Sequence, residues 1–346
     1  ISTKKNFNNT RKRLLSIYEA VRKSQAEYIF LPSADSVTLG YLFSENRARS
    51  NLRKILGRDA ACSVCLHSGP GGMKNDSLGQ IGKSVFWNIA LLTAPWQRIN
   101  FLNQVVYQRI FSRYPFLKHR IGTIPSPVSQ NIYNNFSDCR KALNIPEEGQ
   151  YVVSAGGLAA DWKGVDILLS AFVSSKRKKT DRLLLAGSLG IKNRELIQNK
   201  YHQFVNSGEI IIIDRFITDQ EFNWVMGASN FVAMPYPNFK RVSGVLLRAV
   251  ASGKPILTEN HGWLGYVSKN FDLGWVCNVT NHDDLIDNIS NGFESNKNYK
   301  QSESALNFLK YNSVKNFQLH WVRELELLSG KNFGGELIEW KDLFSA

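Results

Sequence analysis

No apolar run in these 346 residues approaches the ~20 needed to cross a bilayer as a helix. No secretory or twin-arginine leader is visible either. Cysteine is scarce, with only Cys62, Cys65, Cys139 and Cys277, too few for a disulfide scaffold. Cys62 and Cys65 have metal- or redox-type spacing, but they lie in the apolar run AACSVCLH. That run reads as a buried strand, whose alternation sends the two thiols to opposite faces. The pair is therefore expected to be reduced and structural. The six histidines form no metal spacing, and no phosphate loop, dinucleotide fingerprint, Ser-His-Asp elbow or pair of acid/base carboxylates stands out. These gaps together predict a cytoplasmic setting, at most peripheral at the inner face of a membrane.

Acidic residues are also in deficit. Twenty-nine Asp and Glu face 43 Lys and Arg, a net charge of +14, so the surface attracts polyanions, anionic lipid or phosphorylated ligands. Nucleic acid is the least favoured of these. There is no aromatic-glycine single-strand signature, and the densest basic run, Lys176 to Lys179, reads as a solvated helix end.

Apolar content of 43% in a chain of this length supports two domains, each with its own core. An amphipathic helix over residues 10–25 is followed by the strand EYIFL, a basic helix around Tyr41 to Leu56 and the strand Ala60 to Leu66. The last of these runs into His67 and the loop SGPGG. Helices are expected over Ser77 to Leu92 and Gln97 to Tyr114, with a strand and exit in RIGTIPSPV. The polar stretch 135–150, with a short helix inside it, reads as a linker. Strands and helices then alternate cleanly from Tyr151 to Phe293, and alternation of this kind implies parallel sheets covered on both faces. Two doubly wound domains in tandem would form a cleft between the carboxyl ends of their sheets. The expected division is 1–142, 143–296, and C-terminal helices over 297–346 that finish the second domain or cross back to the first.

Four places carry chemistry. In SAGGLAADWKGVD a strand ends in Gly156 and Gly157 and a short loop brings in Lys163, so glycine-freed amides and one ammonium can cradle a diphosphate. The apolar run ending at Met234 leads through a polar loop to Ser243-Gly244-Val245, the start of a helix that closes at Gly253 and Pro255. That helix N-terminus at a strand's carboxyl end suits a phosphate equally well. The loop DRFITDQE, containing Arg215, offers main-chain groups to a nucleobase or is simply a turn with Thr218 capping the next helix. His67, at a strand end beside glycines, can hold a sugar hydroxyl or accept a proton, or can be a plain loop histidine.

The order of these pieces resembles the nucleotide-sugar-binding half of GT-B glycosyltransferases of the family 4, or glycosyltransferase group 1, type. Gly156-Gly157-Leu158, Lys163-Gly164-Val165-Asp166, Leu168-Leu169-Ser170-Ala171-Phe172, LLLAG at 183 to 187, Met234-Pro235-Tyr236 and ASGKPI carry the likeness. The acceptor-side half is matched more loosely, through HSGPGG and IPSPV, and the family's usual opening strand and glycine loop are not seen ahead of the first helix. The resemblance implies two Rossmann-like domains and retaining, metal-independent transfer. The sugar would move from a nucleoside-diphosphate sugar to a saccharide or lipid-linked acceptor, with no other cofactor. His67 is then the candidate catalytic residue. The candidate donor-binding set is Gly156, Gly157, Lys163, Arg215, Lys240, Ser243, Gly244, Val245 and Arg248.

The chain departs from the family pattern at three of these positions. The paired glutamates that normally contact the donor sugar and the ribose fall on Lys240 and Arg248, and the diphosphate-binding arginine falls on Gly157. Lysine and arginine only donate hydrogen bonds, so the usual ribose contact cannot be made. The alternatives are a rearranged donor site in which Arg248 faces phosphate, an acidic donor sugar, or a non-catalytic GT-B-like binding or accessory protein.

Overall fold

The computed structural model describes residues 13–14, 16–42, 46–58, 60–67, 78–129 and 135–344; the glycine loop after His67 lies outside them. The chain divides into two compact units. Ile1–Ser126, Lys240–Val242 and Lys315–Phe344 form the first, and Pro127–Phe239 with Ser243–Val314 form the second.

In chain order, the first part runs α1 (residues 16–24), β1 (Tyr28–Leu31), α2 (Asp35–Leu42), α3 (Asn46–Arg58), β2 (Ala61–Leu66), α4 (Leu78–Thr93), β3 (Arg98–Phe101), α5 (Gln104–Arg113) and β4 (Ile121–Thr123). There follow α6 (Phe136–Ala142), β5 (Tyr151–Ala155), α7 (Val165–Ser174), β6 (Arg182–Ala186), α8 (Ile191–Leu196), α9 (His202–Asn206) and β7 (Ile210–Ile213). The remainder is α10 (Asp219–Ala228), β8 (Phe231–Met234), α11 (Gly244–Ala251), β9 (Ile256–Glu259), α12 (Gly262–Asn270), β10 (Gly274–Cys277), α13 (His282–Ser295), α14 (Glu303–Tyr311) and α15 (Val314–Ser329).

The first unit holds a parallel sheet in the order β1-β2-β3-β4. Strand alternation gives it two unlike faces. Cys62, Val64, Leu66, Ile99 and Phe101 enter the main core with Trp87, Leu91 and Ile110 from α4 and α5. On the other face Cys65 joins a small cluster with Leu102 and Ile124, against which Phe317 and Trp321 of α15 pack. The two cysteines thus point to opposite faces, as alternation predicts. On this second face Ser63 donates to Glu324 of α15 at 2.6 Å, and Arg98 Nη2 lies 2.8 Å from the same carboxylate.

The expected helix over 97–114 is replaced by β3 and a shorter α5. Ile99 and Phe101 alternate into the core, and Asn103 begins the helix by accepting from the Val106 amide. A four-residue strand is too short to impose a period-2 signal on the helical pattern that follows it.

The second unit has a six-stranded parallel sheet in the order β10-β9-β8-β5-β6-β7. The chain starts at β5, moves outward through β6 and β7, then returns to the other side of β5 with β8, β9 and β10. The direction therefore reverses between β5 and β8, where a doubly wound sheet opens a crevice at its carboxyl ends. Val152, Leu168, Leu183, Phe231, Leu257 and Ile289 centre the core.

The segment expected as a linker folds into this unit as α6. Buried Arg140 donates to Ala228 O and Gly149 O, at 3.2 and 3.0 Å, and lies over the Tyr151 ring at 4.3 Å. A polar composition concealed this one anchoring side chain.

Candidate active site

The turns after β5 and β8, which flank the reversal point, come together in the second unit. Gly156, just past β5, has φ +102°. A Cβ built there would lie 3.6 Å from both Lys163 Nζ and Val245 Cγ2, so this turn, the lysine and the first turn of α11 surround one spot. At Gly157 and Gly244 an added Cβ would meet nothing within 4 Å, so both face open space. Ser243 caps α11 by accepting from the Leu246 amide at 3.4 Å. The amides of Gly244 and Val245 precede the first residue that an intrahelical carbonyl can satisfy, and they carry the helix's positive end to the same opening.

Lys163 ends a tight turn of its own. Gly164 has φ +60°, and a Cβ there would fall 2.1 Å from Pro235 O, so only glycine fits. This close approach seats Lys163 beside the residues that follow β8. Its side chain is buried, donates to the Tyr236 hydroxyl at 2.8 Å, and lies 4.3 and 4.9 Å from the Tyr236 and Trp162 ring centroids. Trp162 in turn stacks on Phe239 at 4.8 Å. Burial without a carboxylate partner lowers the lysine pKa to about 8. A desolvated cation held among aromatic faces beside the glycine turn can take an anion as a partner. Sequence reasoning missed Trp162, Tyr236 and Phe239 as lysine-holding groups, although their aromatic spacing on either side of the glycine turns was there to be read.

The other donor-side candidates are placed differently. Arg215 donates to Glu221 at 2.6 Å, and Glu221 completes a capping box with Thr218 at the start of α10. The Arg215 hydrogen bond leads the effects that lower the Glu221 pKa to about 2. Arg248 pairs with Asp219 at 2.5 Å and lies over the Phe222 ring. Both guanidiniums are thus tied to the first turn of α10. Exposed pairs of this kind are worth under about 1 kcal/mol, so an incoming anion competes for either cheaply. Phe216, next to Arg215 in the loop, is 81% exposed. Lys240 groups with the first unit, where its carbonyl accepts from the Asn103 side chain at 2.7 Å.

His67 belongs to the first unit, at the carboxyl end of β2. Its ring Nε2 lies 3.1 Å from the Pro32 carbonyl, an acceptor only, so Nε2 is the donor in that contact. Its amide donates to Asp35 at 2.9 Å. The sequence also gave no sign of Glu259, which reads as the polar end of a strand. Its side chain is fully buried at the carboxyl end of β9, where Oε1 takes the Asn260 amide and sits 2.9 Å from His261 Nδ1. Its Oε2 has no partner among the described residues.

Comparison with known proteins adds the family. No curated protein matches the chain in sequence. Among solved structures, sucrose-phosphate synthase (tll1590) from Thermosynechococcus elongatus aligns over 95% of this chain and 80% of its own, with a TM-score of 0.74 at 15% identity. A glycosyltransferase from Rickettsia africae ESF-5 aligns over 93% and 82%, with a TM-score of 0.66 at 16% identity. Anabaena Alr3699/HepE, solved in complex with UDP, aligns over 90% and 81%, with a TM-score of 0.66 at 16% identity. These likenesses establish the GT-B fold. The family model described as glycosyl transferases group 1 matches residues 135–308, half of the chain and nearly all of the second unit. The chain therefore belongs to the glycosyl transferases group 1 family, as a sugar-transferring enzyme of GT-B fold.

Proposed function

We propose that this enzyme takes its sugar from a nucleoside-diphosphate donor bound at the carboxyl edge of the second unit's sheet and delivers it to a saccharide or lipid-linked acceptor. The reading rests chiefly on the convergence of Gly156, Lys163 and the N-terminus of α11, with open space at Gly157 and Gly244. The departing diphosphate is the charge that grows during transfer. Donors already aimed at it lower the barrier most. Lys163 and the Gly244 and Val245 amides supply that positive charge from the protein itself, without a metal ion. With Gly157 in place of an arginine, Lys163 takes the larger share, and Arg248 is recruited from Asp219 as the phosphate arrives.

The exposed Phe216 offers a face on which the base stacks, beside the main-chain groups of the same loop. His67 orients the acceptor or the transferred sugar through its Nδ1. Transfer proceeds with retention of anomeric configuration, in the cytoplasm or at the inner face of a membrane. The bound UDP of the HepE structure favours a nucleotide ligand for this fold.

The test is a thermal-shift screen of nucleoside diphosphates. A matching nucleotide raises the melting temperature of the wild type by mass action, and Lys163→Ala abolishes the rise. Stabilisation that survives in Lys163→Ala, or none with any nucleotide, overturns the assignment.

A further inference from the structure

The polar face of the first unit's sheet forms the floor of a cavity of about 620 Å³, walled by α15 and the segment that follows it. Small-molecule sites usually have volumes of about 300 to 1,000 Å³. Asn100 of β3 lies in the floor and is 1% exposed. Its Nδ2 donates to Ser63 at 3.0 Å, but its Oδ1 receives no hydrogen bond from the described residues. The large majority of buried polar side-chain atoms have a partner, so this oxygen is one that a ligand can satisfy. Gly122 of the edge strand β4 keeps it in place. A Cβ there would fall 2.5 Å from the same Oδ1, and a larger residue would displace the amide.

The wall is tied down. Asn316 of α15 exchanges two hydrogen bonds with the Ile338 backbone, at 3.0 and 2.8 Å, and His320 Nε2 lies 2.9 Å from the Ile338 carbonyl. This holds Leu337 and Trp340 against the cavity, where Trp340 meets Phe344 edge to face at 5.6 Å. Phe344 and Leu327, both 47% exposed, add to the apolar lining. Charge is largely cancelled. Of the four lysines and arginines that line the cavity, Arg98 pairs with Glu324 at 2.8 Å, Arg323 with Glu326 at 2.9 Å and Lys341 with Glu339 at 2.7 Å. Only Lys118, which is exposed, has no carboxylate partner among the described residues. The fitting ligand thus has hydroxyls to donate, an apolar face for aromatic side chains and no need of net charge. A neutral saccharide combines these, with hydroxyls round the ring edge and C–H groups on its faces.

We propose that this cavity binds a neutral saccharide, with a ring hydroxyl donating to Asn100 Oδ1 and an apolar ring face against Phe344. The site is separate from the donor turns, which belong to the second unit. It is separate from His67 as well. Arg98 and Ile121 open their strands and Lys118 and His119 precede β4, so the cavity centres on the amino ends of β3 and β4, whereas His67 stands at the carboxyl end of β2. The proposal therefore holds whether or not the donor assignment does.

The test is an array of neutral gluco-, manno- and galacto-oligosaccharides probed with the full chain, followed by calorimetry on the saccharides that bind. Leu327→Trp, which fills the cavity from an exposed position, should weaken binding at least about tenfold. Phe344→Ala should weaken it at least about fivefold through the lost ring face. Affinity should stay within about twofold between low and high salt, because no net charge is involved. Both substituted side chains are half exposed, and unchanged circular dichroism shows that the variants fold. Absence of binding to every oligosaccharide overturns the proposal, as does full-strength binding in Leu327→Trp. Binding that falls steeply with salt and disappears in Lys118→Ala marks an anion site and overturns it too. Binding lost in Lys163→Ala belongs to the donor site and has the same consequence. Nucleotide stabilisation of Leu327→Trp reads the donor site separately, so either reading can fail alone.

Discussion

At the scale of the residue, Lys163 is the most informative group in the molecule. Its pKa falls from an ordinary 10.5 to about 8 because burial disfavours the ammonium. At about 1.4 kcal/mol per pKa unit, the charged form costs the empty protein about 3 kcal/mol. Below pH 8 folded and unfolded chains both keep the proton, so the cost is present in full. Between pH 8 and 10.5 the folded chain has released a proton that the unfolded chain retains, so stability rises with pH. Lys254, buried against the Phe136 ring and donating to Gly227 O, is lowered to about 8 by the same cause and adds a similar slope. Lys163→Met should therefore be more stable than the wild type at pH 7 and lose about half of the rise between pH 8 and 10, as measured by urea denaturation. A diphosphate bound beside Lys163, as proposed, would restore the ammonium, so calorimetry at pH 9 in buffers of different ionisation enthalpy should record proton uptake on nucleotide binding that largely disappears at pH 7, where the lysine is already charged. Tyr236→Phe removes the hydroxyl that accepts from Lys163. At about 1 kcal/mol for one hydrogen bond, it should weaken nucleotide binding roughly fivefold while leaving a lysine that still responds.

At the scale of the element, α11 serves the site only if its first turn is held open and in place. Ser243 does this by capping the Leu246 amide, so the two amides before it stay at the opening. Ser243→Ala should cost about 1 kcal/mol of stability and Ser243→Gly only a few tenths, with the urea midpoint as the measure. These capping and turn residues were also the part of the fold most legible in the sequence. Glycines, Ser243 and the strand ends around them have local signals, and the turns after β5 and β8 lie where those signals put them. What the sequence concealed depends on distant partners. The short β3 is defined by its neighbours in the sheet, and α6 by Arg140 reaching Ala228 O. The environment of Lys163 depends on Tyr236, 73 residues away in the chain. The family resemblance singled out Arg248, but it does not reveal the pairing with Asp219 in the first turn of another helix.

At the scale of the whole molecule, sequence order and spatial membership part company. Residues from the far end of the chain complete the first unit, and the decisive contact is Glu324 of α15. Its carboxylate is 5% exposed and satisfies Ser63 of β2 and Arg98 of β3 on the polar face of the sheet. Asn100 adds a hydrogen bond to Ser63 at 3.0 Å, so three side chains from two strands depend on one acid. Removing one partner of a buried ion pair strands the other charge, at a cost of about 3 to 5 kcal/mol. Glu324→Ala should therefore destabilise the first unit strongly, whereas the second keeps its own core around Val152, Phe231 and Leu257. Hydrogen exchange separates the two outcomes. Amides of β2 and β3 should lose protection in Glu324→Ala by at least a hundredfold, and those of β5 and β8 should be unchanged. The nucleotide should still slow exchange in the turn after β5. Equal loss of protection in all four strands would show that the chain unfolds as one cooperative body, with α15 indispensable to both halves.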